Sequence, residues 1–217
     1  MAERISSRQF HASEGVEDWR VVFHGAQTYF ATGSFATGVQ LVEVIGRLAD
    51  AADHHPDIDL RYAGVSVSLF THEVGDISDR DVALAQQIST AARELGIAAD
   101  PSKVQSMQVS IDALDIAGVL PFWRAVLGFE QFGDQDVVDP LSRGRRLTFQ
   151  QMDESRPQRN RIHIDVAVPR DQADTRIAAA LAAGGRIVMD AHAPAWWTLS
   201  DAEGNEVDVA PWREDSD

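Results

Sequence analysis

Residues 65–70 alternate strictly, with Val65, Val67 and Leu69 set against Ser66, Ser68 and Phe70, and no other stretch constrains the fold as tightly. A strand that is apolar on one side needs a layer to cover that side. Both flanks supply one. Upstream, Phe35, Val39, Val42, Ile45 and Ala49 recur at helical spacing behind Ser34, a suitable N-cap. That helix has to stop near Ala52, because Pro56 restricts the residue before it. Downstream, Ser78 and Asp81 stand at capping-box spacing ahead of Val82, Ala85, Ile88, Ala92 and Leu95, and Gly96 is the stop. Two runs rich in aromatic and β-branched residues, 19–23 and 27–31, lie on either side of His24-Gly25-Ala26 and predict a hairpin. The first half is expected to be α+β, in the order strand, strand, helix, strand, helix, with an antiparallel sheet and helices packed on one face.

The stretch from Gly96 to Lys103 contains Pro101 and little periodicity, so it predicts a linker between domains at 1–100 and 101–217. Beyond it the pattern changes. Strands are expected at 104–111, near Glu130, and at 146–152, with a helix over 116–127 that Pro121 kinks or delays. The order then repeats: a strand at 162–168, a helix at 172–183, and strands at 186–189, 196–199 and 207–210. Two βαβββ modules in tandem account for this repeat.

A chain of 217 residues has room for two domains of ordinary size, and 44% hydrophobic with 24% charged residues is a globular composition. No apolar run approaches the ~18 residues that span a bilayer, and residues 1–10 lack the apolar core of a secretory signal. A cytoplasmic protein is the expectation. With no cysteine, disulfides, thiolate metal sites and cysteine nucleophiles are excluded, which leaves catalysis to acid–base side chains. The net charge of −15 is shared by both halves and argues against nucleic acid and anionic membrane as partners. Six arginines between Arg143 and Arg161 are the one local exception, and they read as a solvated loop and strand edge.

Three of the seven histidines fall in one short segment with carboxylates beside them: Asp50, His54, His55, Pro56, Tyr62, His72 and Asp81. Imidazole exchanges a proton near neutrality, so such a trio points to proton transfer or to a metal. Adjacent histidines diverge from most backbones, and the helical ligand spacing of two histidines four apart is absent. General acid–base chemistry fits better, with Asp50 or Asp53 setting the imidazole charge. His72 shares its parity with Ser66, Ser68 and Phe70, so it should project from the side of the strand opposite the valines. Ser78 and Asp81 also read as a helix cap, and Tyr62 as a residue packed at the strand entrance.

This spacing, with Thr71-His72-Glu73 and Ser78-Asp79-Arg80-Asp81 in the flanks, resembles pterin-4a-carbinolamine dehydratase over roughly residues 15–96. The resemblance implies dehydration of a 4a-hydroxytetrahydropterin to the quinonoid dihydropterin, without metal or other cofactor. Carried over, His54 and His72 are the catalytic acids, while His55, Asp50, Tyr62 and Asp81 belong to the substrate site. Asp50 stands where the family commonly has glutamate. Asp57-Ile58 stands where it often has Glu-Trp. The family is oligomeric, and a homodimer is the expectation for this chain.

Residues 104–212 resemble the glyoxalase/bleomycin-resistance (vicinal oxygen chelate) superfamily, through Leu114, Phe122-Trp123, Leu127-Gly128-Phe129, Arg161, His163, Asp165, Asp201, Gly204-Asn205 and Asp208. The resemblance implies paired βαβββ modules forming a cup, with metal ligands on the first, fifth and eighth strands. Those positions would be Ser106, His163 and Asp208. Serine is a poor ligand for a divalent ion, so no metal is assigned and His163 and Asp208 stand as weak candidates. Trp196 and Trp197 alternate, and only one of them can face the cup. Two other readings stay open: a non-catalytic protein binding a pterin or a cup ligand, and a metal-dependent lyase or dioxygenase acting through the cup.

Overall fold

A computed structural model describes residues 2–23, 25–120, 129–141, 146–154, 162–182, 185–200 and 206–211. The chain divides into two compact units, one built on Met1–Gln105 and the other on Ser106–Ala167 with Ala173–Pro211. Among the described residues, no helix is long and apolar enough to cross a membrane.

The first unit holds α1 (Ser7–Ala12), α2 (Phe35–Ala52), α3 (Asp79–Glu94) and strands β1 (Arg20–Val22), β2 (Gly25–Ala31), β3 (Asp57–Arg61), β4 (Gly64–Leu69) and β5 (Ala98–Ala99). The sheet runs β1-β2-β4-β3, β5 adds to β2, and every pairing is antiparallel. The alternation of 65–70 settles its two sides. Val65, Val67 and Leu69 stand opposite Phe30, Thr28 and Ala26, and this side is buried under Leu41 and Ile45 of α2 and Leu84, Ala85 and Ile88 of α3. Each fully buried aliphatic side chain contributes about 1.5–3 kcal/mol. Trp19 closes one end of this core, its buried indole N–H donating to Ser89 Oγ at 3.0 Å.

The sequence placed the helices correctly and misjudged part of their faces. Ser34 caps α2 through Thr37 N, but the buried stripe is Gly38, Leu41, Ile45 and Ala49, while Phe35 and Val39 are about half exposed. Gly38 is why: with no Cβ it lets α2 come down against Leu60 of β3, and that rotates the stripe. In α3 the stripe likewise runs through Leu84, Ala85, Ile88, Ala91 and Ala92, and Leu95 is exposed. Strand β3 was not foreseen. Its Asp-Ile-Asp-Leu-Arg pattern carries three charges outward, as suits an edge strand, and turns only Ile58 and Leu60 toward the core. The short helix α1, capped by Ser6 and Gln9, was also missed. Residues 96–103 are more than a linker: β5 lies in them, the Asp100 N–H donates to the Tyr29 carbonyl at 2.8 Å, and Pro101–Lys103 form a 3-10 turn.

The second unit is an eight-stranded sheet built from two βαβββ modules. The first comprises β6 (Ser106–Ala113), helical residues 116–120, β7 (Glu130–Phe132), β8 (Asp136–Val138) and β9 (Leu147–Gln151). The second comprises β10 (Ile162–Val168), α4 (Arg170–Ala182), β11 (Arg186–Met189), β12 (Trp197–Ser200) and β13 (Glu206–Pro211). The leading strands β6 and β10 pair at the centre of the order β11-β12-β13-β10-β6-β9-β8-β7. Ile111, Val137, Leu147 and Phe149 pack with Leu120 on one side of the sheet. Register puts Ser110, Asp112, Thr148, Gln150 and Asp136 on the other, which is the polar lining of the cup. Of the expected elements, the later part of the 116–127 helix lies outside the described residues, and β8 was not anticipated.

Candidate active site

Antiparallel pairing of β3 with β4 decides which of the candidate residues can meet. Asp57 stands opposite Ser68 and Arg61 opposite Gly64, so the segment before β3 and the segment after β4 emerge at the same end of the hairpin. His54 and His55 lie in the first segment and Thr71 and His72 in the second. Tyr62 sits in the turn at the other end, a strand length or about 13 Å away, and is 76% exposed. The structure therefore separates Tyr62 from the histidines. At that exposure it does not pack at the strand entrance as the sequence suggested.

The backbone separates the histidine pair. Helix α2 ends in a left-handed Asp53 (φ 46°, ψ 43°), a conformation that a short polar side chain tolerates, and the His54 N–H returns to the Ala49 carbonyl at 3.1 Å. This turn sends His54 inward and His55 outward. The His54 ring is 7% exposed, with Nε2 2.8 Å from Asp81 Oδ1. The His55 ring remains in solvent, with Nε2 3.0 Å from Asp50 Oδ1. Asp50, at the end of α2, is itself exposed.

Asp81 is fully buried at the start of α3, and both of its oxygens are engaged. Oδ1 meets His54, while Oδ2 accepts from Thr71 Oγ1 at 2.6 Å and from the Ser78 backbone N–H at 2.7 Å. The capping box anticipated from the sequence is present, Ser78 Oγ accepting from the Arg80 N–H at 3.2 Å. Its carboxylate has a second task in holding the imidazole. No part of Asp81 faces outward, so direct contact with a substrate, expected from the sequence, does not follow from its position.

His72 opens a 3-10 turn, His72–Val74, that ends at Gly75 (φ +66°). Its ring is exposed and stands edge-on to Phe70, centroids 5.2 Å apart, in keeping with the shared parity. Arg80, which sequence reasoning passed over, ties the two loops: its guanidinium donates to the Asp53 carbonyl and lies 3.6 Å from Glu73. Thr71 was missed as well. The only sequence signal for either was adjacency, Thr71 to His72 and Arg80 to Asp81.

In the second unit, strand register places the backbones of the residues the superfamily resemblance pointed to. Ser106 pairs with Ala167 and His163 with Ser110, which separates Ser106 from His163 by four residues, about 13 Å, along paired strands. Asp208 instead accepts from Thr198 Oγ1 at 2.7 Å, its partner across β12 and β13. The His163 side chain lies outside the described residues, and among the described residues no three His, Cys, Asp or Glu are grouped to hold a metal. Two other carboxylates of the sheet are also tied to neighbouring residues, Asp165 to Ser110 and Asp136 to Thr148 and Arg146. Trp197 lies on β12 opposite Val209, whereas Trp196 precedes the strand and stacks on His192, centroids 4.1 Å apart.

Residues 3–91 match the pterin 4 alpha carbinolamine dehydratase family and residues 108–210 the glyoxalase-like domain family. A curated protein of Aquifex aeolicus (strain VF5) named for the first family is 37% identical over 96 residues, 44% of this chain and 97% of the relative. One of Nocardia farcinica (strain IFM 10152), named likewise, is 43% identical over 92 residues, 42% of this chain and 97% of the relative. Similar solved structures include a transcriptional coactivator/pterin dehydratase from Brucella melitensis (TM-score 0.39, 22% identity, 42% of this chain and 99% of that one). They also include a glyoxalase/bleomycin resistance protein/dioxygenase superfamily member from Vibrio splendidus 12B01 (TM-score 0.34, 15% identity, 50% and 99%). The family matches, the near-complete coverage of the two curated relatives and the spacing of the histidines agree: the chain belongs to the pterin-4a-carbinolamine dehydratase family, with a glyoxalase-like domain following the dehydratase domain.

Proposed function

We propose that the first unit dehydrates a 4a-hydroxytetrahydropterin to the quinonoid dihydropterin, using His54 and His72 as proton donors and His55 as a substrate contact. The reading is supported above all by the hairpin geometry, which delivers one buried, carboxylate-held imidazole and two exposed ones to the same end of the sheet. The C4a–O bond breaks with its electron pair on oxygen, the imidazolium supplies the proton that makes water of the leaving hydroxide, and the ring sheds one proton in return. Hydroxide is a poor leaving group, and a positioned acid accelerates such a step by about 100- to 10,000-fold. Asp50 orients His55, and the polar cup of the second unit serves as an accessory binding module. The protein is assigned to the cytoplasm and to a homodimer on the same reading.

The test is the dehydration rate of protein dialysed against chelator. Wild-type chain should accelerate the reaction, and His72→Ala, a change at an exposed ring, should lose at least about 90% of that rate. A wild-type rate equal to buffer alone would sink the assignment.

A further inference from the structure

We propose that Thr71 is a positioning residue for His54 and that His54 faces the pterin through Nδ1; the inference rests on the dehydratase reading above. The donors around Asp81 can be ordered from the contacts alone. Thr71 Oγ1 spends its single proton on Asp81 Oδ2 at 2.6 Å, so across the 2.7 Å contact between Thr71 Oγ1 and Ser78 Oγ it is Ser78 that donates, its direct reach to Oδ2 being longer at 3.4 Å. Ser78 Oγ in turn accepts from the Arg80 N–H. The chain therefore runs one way, from the backbone N–H of Arg80 through two hydroxyls into the carboxylate, and such chains strengthen each member.

With Oδ2 filled by donors, Oδ1 is left to accept from His54, which places the ring proton on Nε2. The other nitrogen, Nδ1, has no hydrogen-bond partner among the described residues. Since no described side-chain polar atom is both buried and unpartnered, Nδ1 opens to solvent. It is the nitrogen left for a substrate: in the neutral ring it is an acceptor, and in the imidazolium its N–H is the proton that goes to the departing hydroxide. A carboxylate that fixes the tautomer and direction of an imidazole is a recurrent device in acid–base catalysis. Thr71 adds a brace to that device. Without its hydroxyl, Oδ2 loses a donor and the carboxylate can rotate, taking the imidazole with it. Thr71 also precedes His72, so the brace fixes the buried acid and the base of the loop bearing the exposed one.

Long-range ¹H–¹⁵N spectra of the full chain, at a pH where the rings are neutral, read the tautomer directly, with His54→Gln identifying the signal. Wild-type His54 should be protonated at Nε2. Thr71→Val should give a mixed tautomer and a kcat lower by about tenfold or more, with KM changed less than about threefold, and Thr71→Ser should restore both. A wild-type ring protonated at Nδ1 would overturn the proposal, even if Thr71→Val does not fold. So would a folded Thr71→Val chain with wild-type kcat and an unchanged ring spectrum. A wild-type chain without dehydratase activity removes the catalytic reading instead, while the spectra still decide whether Thr71 braces the ring.

Discussion

His54 and His72 carry the same proposed chemistry in opposite surroundings, and their replacement should separate activity from stability. His72 is exposed and stands edge-on to the Phe70 ring, so His72→Ala should stay within about 0.5 kcal/mol of wild type in urea unfolding. His54→Ala leaves Oδ1 of the fully buried Asp81 carboxylate without its donor, and an unsatisfied buried acceptor costs about 1–3 kcal/mol. Equal stability losses in the two variants would contradict this placement. The pair also marks the limit of what the sequence shows. Spacing identified the histidines, but nothing in it says that one ring turns inward and its neighbour outward. That division comes from the left-handed Asp53, which only the end of α2 reveals. Tyr62 shows the converse: the motif groups it with the histidines, and strand β3, hidden by its acidic residues, carries it to the far end of the hairpin.

Helix α2 shows how an element can be legible in extent and misread in orientation. Ser34 and Pro56 bound it correctly because capping and proline restriction are local effects. Which residues it buries is a tertiary matter, decided where Gly38 admits Leu60, and apolar periodicity alone pointed to Phe35 and Val39. Two glycine substitutions in this helix should therefore differ in sign. A Cβ at Gly46 meets nothing within 4 Å, so Gly46→Ala should gain the helix-propensity difference of about 0.5–1 kcal/mol. A Cβ at Gly38 runs into the Leu60 side chain, and overpacking of about 1–3 kcal/mol should outweigh the same gain. Thermal unfolding of the two variants decides it: a stabilised Gly38→Ala would mean that β3 can give way. In the second unit the alternating strands were equally readable. The cup lining was not, because register, not spacing, determines that Ser106 faces Ala167 while His163 faces Ser110.

Across the whole molecule, each unit has a hydrophobic cluster of its own, one drawn from Phe10 to Ile97 and the other from Val109 to Phe149. The proposed dehydratase site draws only on residues 50–81, within the first. The 3-10 turn at Pro101–Lys103 gives this arrangement an experimental handle. Lys103 is the sole lysine among the 217 residues, it is exposed, and the residue after it, Val104, is 5% exposed. A lysine-specific endoproteinase thus has a single bond to cut in the entire chain, and that bond enters its cleft only when the turn opens and Val104 leaves its packing. Digestion of native protein should be slow, stop at two fragments, and leave dehydratase activity with the shorter one, residues 1–103. Rapid cleavage at native conditions would show instead that the turn is already open, and the digestion rate becomes a clock for local unfolding at Pro101–Lys103.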